Sequence, residues 1–313
     1  MDAHDRKTLC VDVGGTTTKL GLVQGGRVIA RDRIESHANL GIGQALERIV
    51  SIARNWTNGS PIDVGFAVPT FVDSRTNQIL RALKDKFEDL EGADLAGWAR
   101  QHFGGEFRIE NDAHAAMLGE WRRGAGRGFE NALMITLGTG IGTSVVLGGR
   151  ALRGPHAQAG NFGGHYVMDP DGYDCPCGNR GCVEAMQNVN ALTRLAHADP
   201  RFGQSSLSQH DRIDYAQLFA AAPHDALAND LLKRSLDIWG SLVVSLIHQF
   251  TPDRVIIGGG VIKSAAIILP HLQSFAGRAL IHWKPVDVVA AELGDDAALI
   301  GMASFCDQPP EYI

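Results

Sequence analysis

The chain has 313 residues, 29 basic against 35 acidic side chains, and a formal net charge of −6. Its length predicts about two domains; a 44% hydrophobic and 20% charged composition argues against disorder, and the acidic balance against a sequence-independent grip on nucleic acid. No apolar run approaches the ~18 residues of a membrane span, and the charged N-terminus lacks the ~7–15-residue apolar stretch of a signal peptide, so a soluble cytoplasmic protein is expected.

Lys7 to Asp12 reads as a buried strand, broken at Gly14-Gly15 and followed by a strand from Lys19 to Val23. A Gly25-Gly26-Arg27 turn leads into a third strand, Val28 to Arg31, completing a meander. Leu40 to Trp56 has helical spacing of Ile42, Leu46, Ile49, Val50 and Ala53. Ile62 to Val68 is a strand stopped by Pro69. Ala93 to Phe103 is a helix, Phe107 to Glu110 a short strand, and Asp112 to Arg122 a helix beginning just after Asn111.

The pattern then recurs. Leu133 to Leu137 is a strand, Gly138 to Gly142 a glycine turn, Thr143 to Leu147 a strand, and Gly148-Gly149-Arg150 repeats the earlier Gly-Gly-Arg turn. Pro200 to Arg212 reads as a polar loop, Asp225 to Phe250 as a long helix, and Val255 to Ile257 as a strand before Gly258-Gly259-Gly260. A helix from Ile262, a strand from Val286 to Ala291 and a helix from Asp295 to Phe305 close the chain. Alternating strands and helices after each meander make the class α/β in two lobes, with duplicated meander–helix units. The lobes are expected at 1–112, with 296–313 returning, and at 113–295.

Glycine accounts for 37 residues, and three clusters follow strands, where bare backbone N–H groups can reach phosphate oxygens. None is a Walker A loop, and Gly138-x-Gly140-x-Gly142 leads into a strand rather than a helix, so it is not a dinucleotide fingerprint. Asp12, at the end of the first strand, could hold a nucleotide's Mg²⁺ or cap the turn. Asn111-Asp112, where a strand meets a helix, fits an N-cap pair and equally a general base for phosphoryl transfer to a hydroxyl. Of the five cysteines, Cys175, Cys177 and Cys182 crowd together after His165. One imidazole and three thiolates make a closed tetrahedral set for structural Zn²⁺. Glu184 is either a first-turn carboxylate favoured by the helix dipole or a ligand-facing acceptor. The remaining histidines read as surface or satisfied groups.

Taken together, these segments resemble the repressor–ORF–kinase (ROK) family of bacterial sugar kinases. Val11 to Lys19 resembles its first phosphate segment, Glu110-Asn111-Asp112-Ala113 its catalytic segment, and Leu137 to Gly142 its second phosphate loop. Gly164-His165 through Cys175, Cys177 and Cys182 to Glu184 resembles its zinc signature, and Gly258-Gly259-Gly260 its adenosine-side turn.

The resemblance implies a two-lobed actin-like ATPase (ribonuclease-H-like) fold closing around sugar and ATP. It implies Asp112 as the base, and Asn111, His165 and Glu184 as holders of sugar hydroxyls, with His165 also ligating zinc through its other ring nitrogen. It places ATP and Mg²⁺ on Asp12, Gly14, Gly15, Thr16, Thr17, Lys19, Gly138, Thr139, Gly140, Gly142 and Gly258 to Gly260. It also implies a homodimer or homotetramer.

The sequence departs from the family pattern in three places. The usual Glu-x-Gly-His is Gly160-Asn161-Phe162-Gly163-Gly164-His165, so Phe162 or Asn161 stands where a sugar-binding Glu is usual. Asn donates as well as accepts, which suits an acyl carbonyl. Pro69-Thr70 replaces Pro-Gly in the sugar loop, and His114 stands where Asn is common. The expected activity is transfer of the γ-phosphoryl of ATP to the 6-hydroxyl of a hexose, foremost glucose. The alternatives are an N-acetylhexosamine kinase, a non-catalytic sugar-binding protein or sugar-responsive regulator of the same family, and polyphosphate as donor.

Overall fold

The computed structural model describes residues 6–82, 87–138, 140–280 and 284–313. In chain order the elements begin with β1 (Lys7–Val13), β2 (Thr17–Gln24), β3 (Arg27–Glu35), α1 (Gly43–Thr57), β4 (Ile62–Val68), β5 (Phe71–Asp73) and β6 (Gln78–Arg81). Then come α2 (Leu95–Phe103), β7 (Gly104–Asn111), α3 (Asp112–Arg123), β8 (Ala132–Leu137), β9 (Ile141–Leu147) and β10 (Arg150–Ala151). Helices α4 (Val183–Gln187), α5 (Val189–Ala198), α6 (Tyr215–Ala221) and α7 (Ala226–Phe250) follow. The chain closes with β11 (Arg254–Gly258), α8 (Ala265–Ala276), β12 (Asp287–Ala290) and α9 (Ala297–Asp307). Two compact units result: Met1–Gly128 with Gly149–Ala159 and Glu292–Ile313, and Phe129–Gly148 with Gly160–Ala291.

In the first unit the strand order is β3-β2-β1-β4-β7. β1 and β2 are antiparallel, as are β2 and β3, whereas β4 runs parallel to both β1 and β7. β1 is nearly continuous in apolar residues because it is covered on both faces, whereas edge strand β3 is largely exposed and charged. The parallel register aligns Asp12 with Ala67 and Ala67 with Glu110. Asp12, Pro69-Thr70 and Asn111-Asp112 therefore emerge together at the C-terminal edge of this sheet, where α/β sheets bind ligands.

The second unit repeats the plan. β8 is antiparallel to β9 and parallel to β11, which is parallel to β12, so β9-β8-β11-β12 matches β2-β1-β4-β7. The two Gly-Gly-Arg turns match in conformation as well: φ is 57° and 75° at Gly25 and Gly26, and 55° and 69° at Gly148 and Gly149. Both central residues at positive φ define the hairpin turn whose twist suits paired strands.

The first unit keeps α3, beyond the boundary expected at 112/113, because α3 lies against α9. A Cβ added to Gly301 would sit 1.8 Å from the Ala115 carbonyl oxygen, and one on Gly119 2.2 Å from that of Ala297. The helices thus cross backbone on backbone. The buried Glu120 carboxylate fixes the chain entering α9 by accepting the N–H groups of Glu292 (3.1 Å) and Leu293 (2.8 Å).

Some elements depart from the sequence reading. The hairpin β5–β6 lies where none was expected. The polar stretch from 200 to 212 holds two 3-10 turns, Phe202–Gln204 and Ser206–Gln209, gathered on the Asp225 carboxylate that also caps α7. Gly142 is in β9, paired with Thr136, rather than in the turn before it.

Candidate active site

In the first unit, Asn111 is the N-cap of α3, as its residue type allows. Its Oδ1 accepts the N–H groups of Ala113 (3.0 Å) and His114 (3.3 Å), and its Nδ2 donates to the Thr70 carbonyl (3.2 Å). The Asn111 side chain thereby frames the segment. Asp112 follows as the first residue of the helix, half-buried, with Oδ1 2.8 Å from the Ala113 N–H. That N–H lies at the positive end of α3. Pro69 is half-buried; the Thr70 hydroxyl is turned away to the Arg81 carbonyl, so Thr70 meets Asn111 through its backbone.

At the same sheet edge, the hairpin between β1 and β2 is closed by Gly14 N–H donating to Thr17 O (3.2 Å), with Gly15 and Thr16 exposed at its tip. Thr17 opens β2, and Lys19 lies opposite Asp12. The Lys19 ammonium bridges Asp12 (3.4 Å) and Asp295 (3.2 Å), and Asp295 also pairs with Arg33 (3.0 Å). Burial raises the Asp12 carboxyl from its ordinary value against the pull of Lys19. Burial opposes the Lys19 charge, but the two carboxylates prevail and raise its pKa. Asp295 was not anticipated, because it is remote in sequence from its partners.

Beneath Asn111-Asp112 lies a cluster the sequence reading missed. Glu110 and Arg153 are both buried, and Glu110 Oε2 receives Arg153 Nη2 at 2.9 Å and Nε at 3.2 Å. Its Oε1 receives the Asn111 N–H (2.8 Å) and lies 3.3 Å from His114 Nδ1. Burial works against the Glu110 charge, but Arg153, with His114 and the Asn111 amide, holds its pKa down at about 2. Burial, aided by Arg153, pushes His114 down to about 4 against the pull of Glu110. His114 is therefore a buried, neutral member of a charge-balanced triad, with an unpartnered Nε2, not the surface or satisfied group expected.

In the second unit, β8 and β11 deliver Gly138 and Gly258 at one sheet edge. Gly138 N–H donates to Gly140 O (3.0 Å); Thr139, expected in this turn, lies outside the described residues. Gly259 has φ +86°, and a Cβ there would meet the Leu137 carbonyl oxygen at 2.2 Å, so only glycine fits beside the neighbouring turn. Glu184, in the first turn of α4, accepts the Ile141 N–H at 2.9 Å, and a Cβ on Gly140 would strike its carboxylate. Its carboxylate is thus held against the glycine turn.

Phe162–His165 forms a 3-10 turn on β9. Thr143 Oγ1 donates to Gly160 O (2.7 Å) and accepts the Gly163 N–H (2.9 Å), while a Cβ on Gly164 would meet Ile141 O at 2.1 Å. Asn161 caps this turn without a side-chain capping bond, and the exposed Phe162 ring lies 6.2 Å from that of His165. The ligating atoms of His165, Cys175, Cys177 and Cys182 all lie within 4.8 Å of one another. His165 Nδ1 is 3.5 Å from Cys175 Sγ, and Cys177 Sγ is 3.6 Å from Cys182 Sγ. Tetrahedral zinc with nitrogen and sulfur ligands needs donor separations of about 3.3–3.8 Å, so the set fits the ion, with Nδ1 on the metal side and Nε2 left for another partner. Burial pushes the Cys182 thiol up to about 12, so a divalent cation is what would keep it a thiolate.

A duplicated α/β plan, glycine turns at both sheet edges and this Cys₃His set define the class. The ROK family model matches residues 8–308, and the chain belongs to the ROK family. It is 33% identical over 316 residues to a glucokinase of Thermotoga maritima, covering 96% of each chain. Among solved structures it resembles a ROK family glucokinase from Streptomyces griseus in complex with glucose and AMPPNP, at TM-score 0.79 and 30% identity, covering 96% of this chain and 98% of that one. It also resembles the ROK hexokinase of Thermus thermophilus, at TM-score 0.76 and 30% identity, covering 95% and 97%. The fold is accordingly the actin-like ATPase fold.

Proposed function

We propose that the chain is an ATP-dependent hexose kinase that moves the γ-phosphoryl group of ATP to the 6-hydroxyl of glucose, with Asp112 as the base. The observation that carries this reading is a half-buried carboxylate at the start of α3, framed by Asn111 and Ala113 at the ligand-binding edge of the sheet. Family membership and the glucokinase and hexokinase relatives support the same reading.

Phosphoryl transfer to an alcohol needs the hydroxyl held in line and its proton accepted as the new bond forms. Asp112 takes that proton, while Asn111, His165 Nε2 and Glu184 hold the remaining hydroxyls. The glycine backbones at Gly14-Gly15, Gly138 to Gly142 and Gly258 to Gly260, with Thr16, Thr17 and Lys19, hold the triphosphate and adenosine. Asp12, now paired with Lys19, would be the oxygen donor for a Mg²⁺ that, when bound, would supply charge neutralisation to the phosphates. Zinc, on His165, Cys175, Cys177 and Cys182, would be structural and orient the imidazole. No described helix is long and apolar enough to cross a membrane; a cytoplasmic homodimer or homotetramer completes the reading.

A second reading, an N-acetylhexosamine kinase, is favoured by one feature. Where a carboxylate is usual, the chain offers Asn161, a donor for an acyl carbonyl, and Phe162, an exposed apolar ring beside His165 that would suit an acetamido methyl. Coupled ADP release over glucose, mannose, fructose, allose, N-acetylglucosamine and N-acetylmannosamine tests both. Glucose giving the highest kcat/KM is the expected result, an N-acetyl sugar in first place selects the second reading, and no release with any sugar refutes both.

A further inference from the structure

We propose that the buried Arg153–Glu110 ion pair is a positioning device for Asn111-Asp112, acting on turnover through the backbone of that segment without touching substrate. The inference rests on the reading of Asp112 as the base. Both oxygens of Glu110 are committed: one to the Arg153 fork, the other to the Asn111 N–H and His114 Nδ1. Asn111 in turn grips Thr70 O and the N–H groups of Ala113 and His114. Asp112 is thus suspended between two fixed neighbours, one of them tied directly to Glu110.

Arg153 is itself anchored on every side. Its N–H donates to Ile313 O (2.8 Å), its carbonyl accepts from Ala159 N (2.9 Å), its Nη1 donates to Leu152 O (2.9 Å), and its guanidinium lies 5.8 Å from the Tyr312 ring centre. The loop carrying it is pinned by Arg75 to Pro155 O (3.2 Å) and by Gln158 to Val72 O (2.8 Å). A planar, permanently charged fork on a braced loop is what a bidentate, geometry-setting role requires, and a lysine ammonium cannot reproduce it. Without Arg153 the buried Glu110 would take up a proton, and the acceptor for the Asn111 N–H would weaken. Small displacements of a reacting group are costly: about 1 Å can lower a rate ~10²-fold.

The test uses the full chain with four variants: Arg153→Met, Arg153→Lys, Glu110→Gln, and Glu110→Gln with Arg153→Met. Kinetics are expressed per folded molecule, alongside amide hydrogen exchange read by mass spectrometry. Each single loss is expected to lower kcat by roughly 10²-fold while leaving the KM for ATP within about twofold. The double variant should be no worse than either single one, and Arg153→Lys should fall between Arg153→Met and the unmodified chain. Exchange should quicken over Asn111 to His114 and stay unchanged in β1 and α9. A kcat within about twofold of the unmodified chain, additive losses, or exchange that quickens equally in β1 and α9 would overturn the proposal. Should Arg153→Met not fold, Arg153→Lys decides by the same kcat and exchange criteria. The exchange result does not depend on which sugar is used, so a failed kinase reading shows separately, as absent turnover in the unmodified chain.

Discussion

The two units hold their candidate site carboxylates, Asp112 and Glu184, by different means. Asp112 stands on a helix whose other contacts are packing and buried charge: the Gly119–Gly301 crossing with α9, the Glu120 carboxylate, and the Glu110–Arg153–His114 triad. Glu184 follows a glycine-rich loop with little apolar core of its own, where Cys175, Cys182 and Ala185 form a small separate cluster and most residues from 171 to 180 are exposed. That loop is organised by turns such as Gly181 N–H to Tyr173 O, and it gathers four side chains whose ligating atoms converge. One carboxylate is braced by the fold; the other follows a loop whose His165, Cys175, Cys177 and Cys182 could hold a metal ion.

The largest effect should come from breaking that contrast at the ion. Zinc binding contributes about 10–16 kcal/mol in small finger peptides. Chelation, or Cys182→Ser, should therefore quicken amide exchange throughout 165–182 and abolish turnover while leaving exchange in α3 and α9 as it was. Unchanged exchange in the loop would refute a structural metal.

Next in size is the helix crossing. Gly301→Val drives a side chain into the Ala115 carbonyl and should cost about 3 kcal/mol or more, lowering the denaturation midpoint and kcat together. A midpoint within error of the unmodified chain would contradict the packing account.

The smallest is a pH effect on the triad. His114 has an ordinary pKa of 6.5 and is lowered to about 4 in the fold, so the unfolded chain binds its proton first. Its stabilising contribution is whole above the unfolded value and drains away as pH falls through the folded one, by up to roughly 3 kcal/mol. Glu110, lowered to about 2, extends the loss to stronger acid. Denaturant titrations between pH 7 and 4 should show a shallower slope for His114→Asn; an unaltered slope would assign the loss elsewhere.

Much of this was legible in the sequence where the chemistry is local. His165, Cys175, Cys177 and Cys182 lie close along the chain, and their donor types restrict what they can bind. Asn111 could be read as an N-cap because capping is decided within a few residues, and the Gly-Gly-Arg repeat because positive φ singles out glycine. Arg153, Glu110 and His114 were opaque. A buried ion pair looks, residue by residue, like surface charge, and its partners are brought together only by the fold. Asp295 beside Lys19, and Glu184 against the Ile141 N–H, were hidden for the same reason. The hairpin β5–β6 escaped because its strands are short and its turn polar.

In this account Asp112 accepts the proton of the sugar hydroxyl. A single-turnover experiment with γ-labelled ATP and glucose, run on Asp112→Ala beside a calorimetric titration of glucose, examines that role most directly. Glucose bound with near-unmodified affinity while label transfer slows by about 10²–10⁴-fold is the outcome expected if Asp112 is the base. Label reaching the sugar at the unmodified rate would contradict it.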